Sequence, residues 1–225
     1  SSAFCEHLYP TYPVFAMKPD SLRPLVFSGR MREAPRSRPV PTFLSPMAFF
    51  STAELPILTS IQSLRTPWLD SIVYGYSALG NFGAVWIVLA LVAVFLPRLR
   101  KIGWEISLAL VLHLFTVNFF LKPWIDRTRP CDLSPLTDPL LSCLTDGSFP
   151  SGHTGAAFAV AGVFLLNRHP AAPWLLLAAL LMGLSRLYLY VHFPSDVLIG
   201  AVVGLFLAFL SVAVVSRFYP RKGHP

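Results

Sequence analysis

Two short polar stretches carry cations that suit a phosphate group. The stretch KPWIDRTRP contains Lys122 and Arg129, and the stretch SRLYLYVHFPSD contains Arg186. Ammonium and guanidinium groups neutralise phosphate oxygens, and the planar guanidinium can contact two oxygens at once. Three such cations in otherwise apolar surroundings indicate that a phosphate group is bound here.

A third polar stretch, PSGH, runs from Pro150 to His153 and precedes a strongly apolar segment. The unpaired N–H groups at the start of a helix attract anions, and a glycine lets the backbone approach an anion closely. We therefore expect Ser151 and Gly152 to contact phosphate oxygens. Ser151 is equally well suited to be the N-cap residue of the following helix.

His192 and Asp196 lie four residues apart, on either side of Pro194. A carboxylate at that distance can keep one imidazole nitrogen protonated and leave the other free to attack. His153 is a second histidine that can protonate a departing oxygen as a general acid. The alternative interpretation makes Asp196 an ordinary first-turn acid of a helix and His192 a residue of the membrane interface.

The composition indicates that these residues belong to a membrane protein. Of the 225 residues, 54% are hydrophobic and 13% are charged, and the mean hydropathy is +0.60. A soluble domain has about 25% charged residues, so this chain has too few to cover a soluble surface. The net charge of +7 does not indicate nucleic-acid binding, because the basic residues cluster at the ends of apolar segments.

The apolar segments predict an all-α, polytopic membrane bundle of about five transmembrane helices. A span needs about 20 mostly apolar residues, and the candidates are roughly 70–97, 103–121, 152–167, 171–190 and 195–216. A break is expected at Gly80-Asn81. An amphipathic helix from Glu54 to Leu64 is expected in the membrane interface, although a sixth span before Asp70 remains an alternative. The predicted domains are a disordered extension over 1–46, a membrane domain over 47–217 and a cytoplasmic tail over 218–225.

Lysine and arginine positions predict the orientation. Basic residues follow the first, third and last spans, so these ends are expected in the cytoplasm. All three polar stretches then lie on the extracytoplasmic face of the plasma membrane. Cys131 and Cys143 share the first loop on that face, and the sequence is equally compatible with a disulfide and with two free thiols.

The three polar stretches together match a known signature. The sequence resembles the type 2 phosphatidic acid phosphatase superfamily, whose signature is Lys-x6-Arg-Pro, then Pro-Ser-Gly-His, then Ser-Arg-x5-His-x3-Asp. The resemblance covers about residues 54–217 and meets every fixed position of the signature. The matching residues are Lys122, Arg129, Pro130, Pro150, Ser151, Gly152, His153, Ser185, Arg186, His192 and Asp196.

The resemblance implies a role for each of these positions. His192 is expected to form a phosphohistidine, Asp196 to orient it, and His153 to protonate the leaving group. No metal or cofactor is expected, and the expected partners are a lipid phosphate and membrane lipid. The phosphate-binding residues are expected to be Lys122, Arg129, Ser151, Gly152 and Arg186.

Within the superfamily the chain looks like small bacterial membrane members. This favours undecaprenyl pyrophosphate as the substrate, with phosphatidylglycerol phosphate, phosphatidate or transfer to an acceptor alcohol as alternatives. Vanadate-dependent halide oxidation is disfavoured because those members are soluble. Lipid binding without turnover is disfavoured because it needs neither the His192–Asp196 pair nor His153. Nothing in the sequence fixes the oligomeric state.

Overall fold

The computed structural model describes residues 46–219, and all regular structure in that range is helical. The predicted extension over 1–46, apart from Pro46, and the predicted tail beyond Tyr219 lie outside the described residues. A 3-10 turn (Asn81–Gly83) follows the second helix, and a π-helical segment (Leu114–Leu121) follows the fourth. The helices are α1 (Pro46–Gln62), α2 (Pro67–Leu79), α3 (Ala84–Phe95), α4 (Arg100–His113), α5 (Lys122–Ile125), α6 (Pro130–Leu133), α7 (Gly152–Leu166), α8 (Ala172–Tyr188) and α9 (Pro194–Phe218).

The helices confirm the predicted all-α membrane bundle. α9 and the stretch Arg100–Leu133 are long and apolar enough to cross a membrane. α2 and the stretch Asn81–Phe95 meet the same criteria together, with a bend of 46° between them. This bend lies at the predicted break after Gly80. α7 and α8 are apolar but have 15 and 17 residues, fewer than the roughly 20 of a full span.

α7 lies at the centre of the bundle, packed against α4, α8 and α9. Its contact with α9 depends on Gly200 and Gly204, which are four residues apart on one face. A Cβ at Gly200 would lie 2.7 Å from the Ser151 carbonyl oxygen, and one at Gly204 would overlap the Gly155 carbonyl. Small residues at this spacing let two membrane helices approach backbone to backbone. The first turns of α7 and α9 are therefore held side by side.

α1 is longer than the sequence pattern predicted. It begins at Pro46 instead of Glu54, because proline suits a first helical position and the methionine and alanine that follow favour helix. Its residue Leu58 is fully buried in a cluster with Tyr190 and Phe193, which lie at the end of α8 and the start of α9. α1 therefore packs against the segment that carries His192. Its place in the membrane interface stays a prediction.

Candidate active site

The structure brings the three polar stretches together at one end of the bundle. The Arg129 Nη1 group donates to the carbonyl oxygen of Val191 at 2.7 Å, which joins the first stretch to the third. The Ser151 N–H donates to the carbonyl oxygen of Asp196 at 2.9 Å, which joins the second stretch to the third. All eight residues predicted for the site lie on these three segments.

His192 lies between a carboxylate and a guanidinium. Its Nδ1 is 3.5 Å from Asp196 Oδ2, and its Nε2 is 3.5 Å from Arg129 Nη1. Both side chains of the histidine–aspartate pair are buried. The Nδ1–Oδ2 distance is long for a hydrogen bond, but the arrangement favours a proton on Nδ1 and a lone pair on Nε2.

Asp196 is held in place at both oxygens. Its Oδ2 accepts the Phe193 backbone N–H at 2.8 Å, and its Oδ1 accepts from Arg127 Nη1 at 2.6 Å. The first contact is that of a first-turn acid bonded to the N-cap backbone. Asp196 therefore fulfils the alternative interpretation and also faces His192.

The three predicted phosphate-binding cations are all buried in this region. Lys122 and Arg129 both form ion pairs with Asp146, the latter at 2.8 Å. Arg186 Nη1 donates to the Ser77 hydroxyl of α2 at 2.5 Å. Its Nε is buried and has no hydrogen-bond partner among the described residues. A buried donor without a partner is costly, so a bound anion would satisfy it.

The pKa values of Asp146 and His192, which both lie in loops, reflect these neighbouring charges. Burial opposes ionisation of Asp146, but the hydrogen bond and charge of Lys122, aided by Arg129, lower its pKa to about 2. Burial lowers the pKa of His192 to about 4; the facing carboxylate of Asp196 opposes this, and the charges of Arg129 and Arg186 reinforce it. At neutral pH Asp146 is therefore ionised and His192 is neutral, the form that can act as a nucleophile.

The start of α7 carries the remaining predicted residues. Ser151 occupies the N-cap position, but its hydroxyl pairs with the Thr154 hydroxyl at 2.9 Å and does not cap the helix. Gly152 is partly exposed at the first helical position. His153 Nε2 lies 3.2 Å from Asn81 Oδ1, at the break between α2 and α3. The bent pair of helices therefore places a polar partner beside the predicted general acid.

The family model of the PAP2 superfamily matches residues 102–220 of the chain. The chain belongs to the PAP2 superfamily. It is a membrane phosphatase of the kind that acts on lipid phosphates.

The relatives of this PAP2 chain differ in their named substrates. It is 34% identical to phosphatidylglycerophosphatase B of Bacillus subtilis over 71% of this chain and 81% of that protein. It is 33% identical to an undecaprenyl-diphosphatase of Sulfolobus acidocaldarius over 59% of this chain and 64% of that protein. The fold matches the crystal structure of a transmembrane PAP2-type phosphatidylglycerolphosphate phosphatase from Bacillus subtilis. That match has a TM-score of 0.63 and 28% identity, and covers 78% of this chain and 95% of the other.

Sequence reasoning missed several residues of the PAP2 site. Asp146 was one of four acids in its loop, and no spacing distinguished it. Asn81 was noted only as part of a helix break, and Ser77 not at all. Arg127 is buried, and its Nη1 donates to Asp196. Glu54, its second partner, lies 73 residues away in the sequence.

Cys131 and Cys143 form a disulfide with a Cα–Cα distance of 5.8 Å. The sequence was equally compatible with a disulfide and with two free thiols, and the structure has the disulfide. The bridge closes the part of the PAP2 loop that lies between Arg129 and Asp146. Arg129 and Asp146, which pair across the site, therefore lie next to the two ends of a covalently closed loop.

Proposed function

We propose that the chain hydrolyses the terminal phosphate of a membrane lipid through a covalent phosphohistidine at His192. The observation that carries the proposal is the orientation of this imidazole. Its Nδ1 faces Asp196, and its Nε2 faces Arg129 at 3.5 Å, on the side where the buried cations lie. A neutral imidazole with a free nitrogen beside three cations is suited to attack on phosphorus.

In the first step Nε2 of His192 attacks the phosphorus atom, and the bond from phosphorus to the lipid oxygen breaks. His153 donates its proton to that oxygen, so the lipid leaves as an alcohol or as the shortened phosphate. The positive charge that develops on His192 is stabilised by Asp196. Lys122, Arg129, Arg186 and the N–H groups at the start of α7 hold the phosphate oxygens.

In the second step a water attacks the phosphorus of phosphohistidine. The water gives a proton to His153, the P–N bond breaks, and the electron pair returns to Nε2 of His192. Inorganic phosphate leaves and the starting protonation state is restored. The cationic side chains supply the charge neutralisation, so the proposed reaction needs no metal or cofactor.

We infer further that undecaprenyl pyrophosphate is the substrate. The similarity to an undecaprenyl-diphosphatase supports this inference. The second candidate is phosphatidylglycerol phosphate, supported by a relative of higher identity and by a solved structure. All the residues proposed to bind substrate contact its phosphate group, so these residues do not identify the lipid tail. The tail has to be identified by measurement.

We also propose that the protein lies in the plasma membrane with the site on the extracytoplasmic face. Two observations support this orientation. Basic residues cluster at the opposite helix ends, as expected for cytoplasmic ends. The disulfide Cys131–Cys143 lies in the loop of the site, and disulfides persist in oxidising compartments.

The test is phosphate release by the purified chain in detergent, with a chelator present, from a panel of lipid phosphates. The panel holds undecaprenyl pyrophosphate, phosphatidylglycerol phosphate and phosphatidate at equal mole fractions, each with and without an acceptor alcohol. The substrate is the lipid with the highest kcat/KM. Phosphorylated alcohol in place of free phosphate would identify a transferase.

The mechanism is tested by His192→Ala in the same assay. We expect turnover to fall by about three orders of magnitude or more, as for removal of a nucleophile. Acid quenching should trap labelled phosphate on the wild-type protein and none on the variant. Turnover by His192→Ala at wild-type rates would exclude the phosphohistidine.

A further inference from the structure

Arg127 is one of the most enclosed charges of the described chain, with 4% of its surface exposed. Its Nη1 donates to Asp196 Oδ1 at 2.6 Å, and its Nη2 donates to Glu54 Oε2 at 2.7 Å. Its Nε donates to the Ser51 hydroxyl at 3.0 Å. The guanidinium also lies 4.1 Å from the centre of the Phe193 ring. Every nitrogen of this side chain is therefore engaged, and none is directed at a phosphate.

The contact between Arg127 and Asp196 determines which carboxylate oxygen of Asp196 faces His192. Asp196 Oδ1 is bonded to Arg127, and Oδ2 accepts the Phe193 N–H and faces His192 Nδ1. Rotation of the carboxylate would break the hydrogen bonds to both oxygens. Arg127 therefore fixes the plane of the group that orients His192.

Glu54 of α1 fixes Arg127 in turn. Its Oε2 accepts from Arg127, and its Oε1 accepts the Ser195 backbone N–H at 2.9 Å. The Ser195 hydroxyl accepts from Arg127 Nη1 at 2.6 Å and donates to Glu54 Oε2 at 2.9 Å. Glu54 thus satisfies an otherwise unpaired N–H in the first turn of α9, the turn that holds Asp196.

The charges alternate along this chain of contacts. Carboxylate, guanidinium and carboxylate follow one another from Glu54 through Arg127 to Asp196. Without Glu54, the full charge of Arg127 would act on Asp196 and weaken its support of a positive imidazole. Without Arg127, the buried Asp196 carboxylate and the partly buried Glu54 carboxylate would both lose their cation, and an uncompensated buried charge is costly.

We propose that Arg127 and Glu54 are positioning residues that act through Asp196 on His192, and that α1 is in this way part of the catalytic machinery. The inference rests on the proposed role of His192 as the nucleophile. It gives the helix before the bundle a function in turnover besides contact with the membrane.

The test compares Arg127→Lys and Glu54→Gln with Glu105→Gln. Glu105 is a fully buried carboxylate of α4, paired with Lys101 at 3.2 Å. It lies at the end of the bundle away from the site and controls for the general cost of removing a buried charge. The readouts are the rate constant and the amplitude of phosphohistidine formation in a single turnover, together with KM and the thermal midpoint.

We expect Arg127→Lys to lower the rate constant about tenfold to a hundredfold and Glu54→Gln about threefold to tenfold, as for other groups that orient a reactive side chain. KM should change less than about threefold, because the three phosphate-binding cations remain. Combining the two substitutions should cost less than the product of their separate effects, since both act through one contact. Glu105→Gln should lower the amplitude and the midpoint only.

A purely structural role would lower the amplitude of the burst and leave its rate constant unchanged. Rate constants within twofold of wild type for both variants would therefore overturn the inference, as would losses confined to KM. Failure of the proposed function is distinguishable, because His192→Ala would then keep its turnover. If His192→Ala is inactive but Arg127→Lys and Glu54→Gln have normal rate constants, only the positioning role of Arg127 and Glu54 is excluded.

Discussion

Each end of the helical bundle contains a completely buried carboxylate, and the two are used differently. At the end away from the site, Glu105 accepts from Asn167 at 2.5 Å and pairs with Lys101 at 3.2 Å. At the site end, Asp196 accepts from Arg127 at 2.6 Å and faces His192 at 3.5 Å. The first carboxylate joins α4 to the end of α7. The second faces His192, the proposed nucleophile.

The difference lies in the charge around each carboxylate. Glu105 has one cation and one amide, so its network balances. At the site end, four buried cations face three carboxylates within the described part of the chain, which leaves an excess of positive charge. An excess of this kind is costly unless an anion binds. The cations are Lys122, Arg127, Arg129 and Arg186, and the carboxylates are Glu54, Asp146 and Asp196.

The largest expected difference in turnover between the two ends concerns the histidines near the two ends of α7. We expect His153→Gln to lower turnover by about 10²- to 10⁴-fold, because the leaving oxygen loses its proton donor. His169 lies beyond the other end of α7, where its ring packs against Phe164 at 5.0 Å. His169→Gln should leave turnover within about twofold in the phosphate-release assay. Similar losses in both variants would mean that the two ends do not differ in this way.

The second prediction concerns how the site end is packed. A Cβ at Gly204 would overlap the Gly155 carbonyl and lie 2.9 Å from the Ala159 nitrogen. We expect Gly204→Ala to destabilise the bundle by about 1–3 kcal/mol through overpacking, or roughly fivefold to 150-fold in the unfolding constant. The measurement is thermal unfolding in detergent.

The matched control for this substitution is Gly75→Ala on α2. A Cβ there meets no atom within 4 Å, so stability should be unchanged or raised. A normal midpoint for Gly204→Ala would show that α7 and α9 can separate without cost.

The third prediction concerns Asp146, whose side chain is 52% exposed although its partners are buried. Asp146→Asn frees Lys122 and Arg129 for an incoming anion. We expect the inhibition constants of inorganic phosphate and vanadate to fall up to about fivefold, the value of an ion pair of up to about 1 kcal/mol. Asp138→Asn is the control, because Asp138 is 92% exposed in the same loop and pairs with Arg65.

The pH dependence of this effect follows from the pKa of Asp146, which is lowered to about 2. The carboxylate is ionised above the ordinary range near 3.8, so the titration of Asp146 adds no change to the difference between the variants from pH 5 to 8. It would be lost only as the pH fell through about 2. A difference that disappears near pH 6 would point to another group.

The smallest expected effect on turnover comes from the disulfide. Replacing Cys131 and Cys143 together by serine removes a bridge across 12 residues, which costs about 3 kcal/mol of stability for loops of this size. Turnover should change less than about threefold, because Arg129 is still held by the Val191 carbonyl oxygen. A collapse of turnover without a loss of midpoint would assign the loop a direct role in the chemistry.

Short-range features of this protein were predictable from the sequence. The interval from His192 to Asp196 predicted that the two side chains lie near each other, and glycine followed by asparagine predicted the break in the first span. Proline and glycine positions placed the starts of α7 and α9 within a residue or two. Each of these depends on the geometry of a single turn, which a few neighbouring residues determine.

Long-range features were not predictable in the same way. Asp146 meets Lys122 across 24 residues, and Glu54 meets Ser195 across 141. No periodicity relates residues so far apart, because these contacts depend on how whole helices pack. Arg127 illustrates the limit: its place in the KPWIDRTRP stretch suited substrate binding and contact with lipid phosphates equally. The chain turns at Asp126, where φ is 40°, and Arg127 is buried.

Asp146 also has a consequence for how the reaction ends. A carboxylate fixed beside the cations by its own loop is a tethered competitor, and its effective concentration is set by the chain and not by the solution. In the proposed reaction it would oppose retention of inorganic phosphate as well as binding of substrate. A site with several buried cations would otherwise hold its product tightly and turn over slowly. Weaker binding of substrate is thus exchanged for faster departure of phosphate.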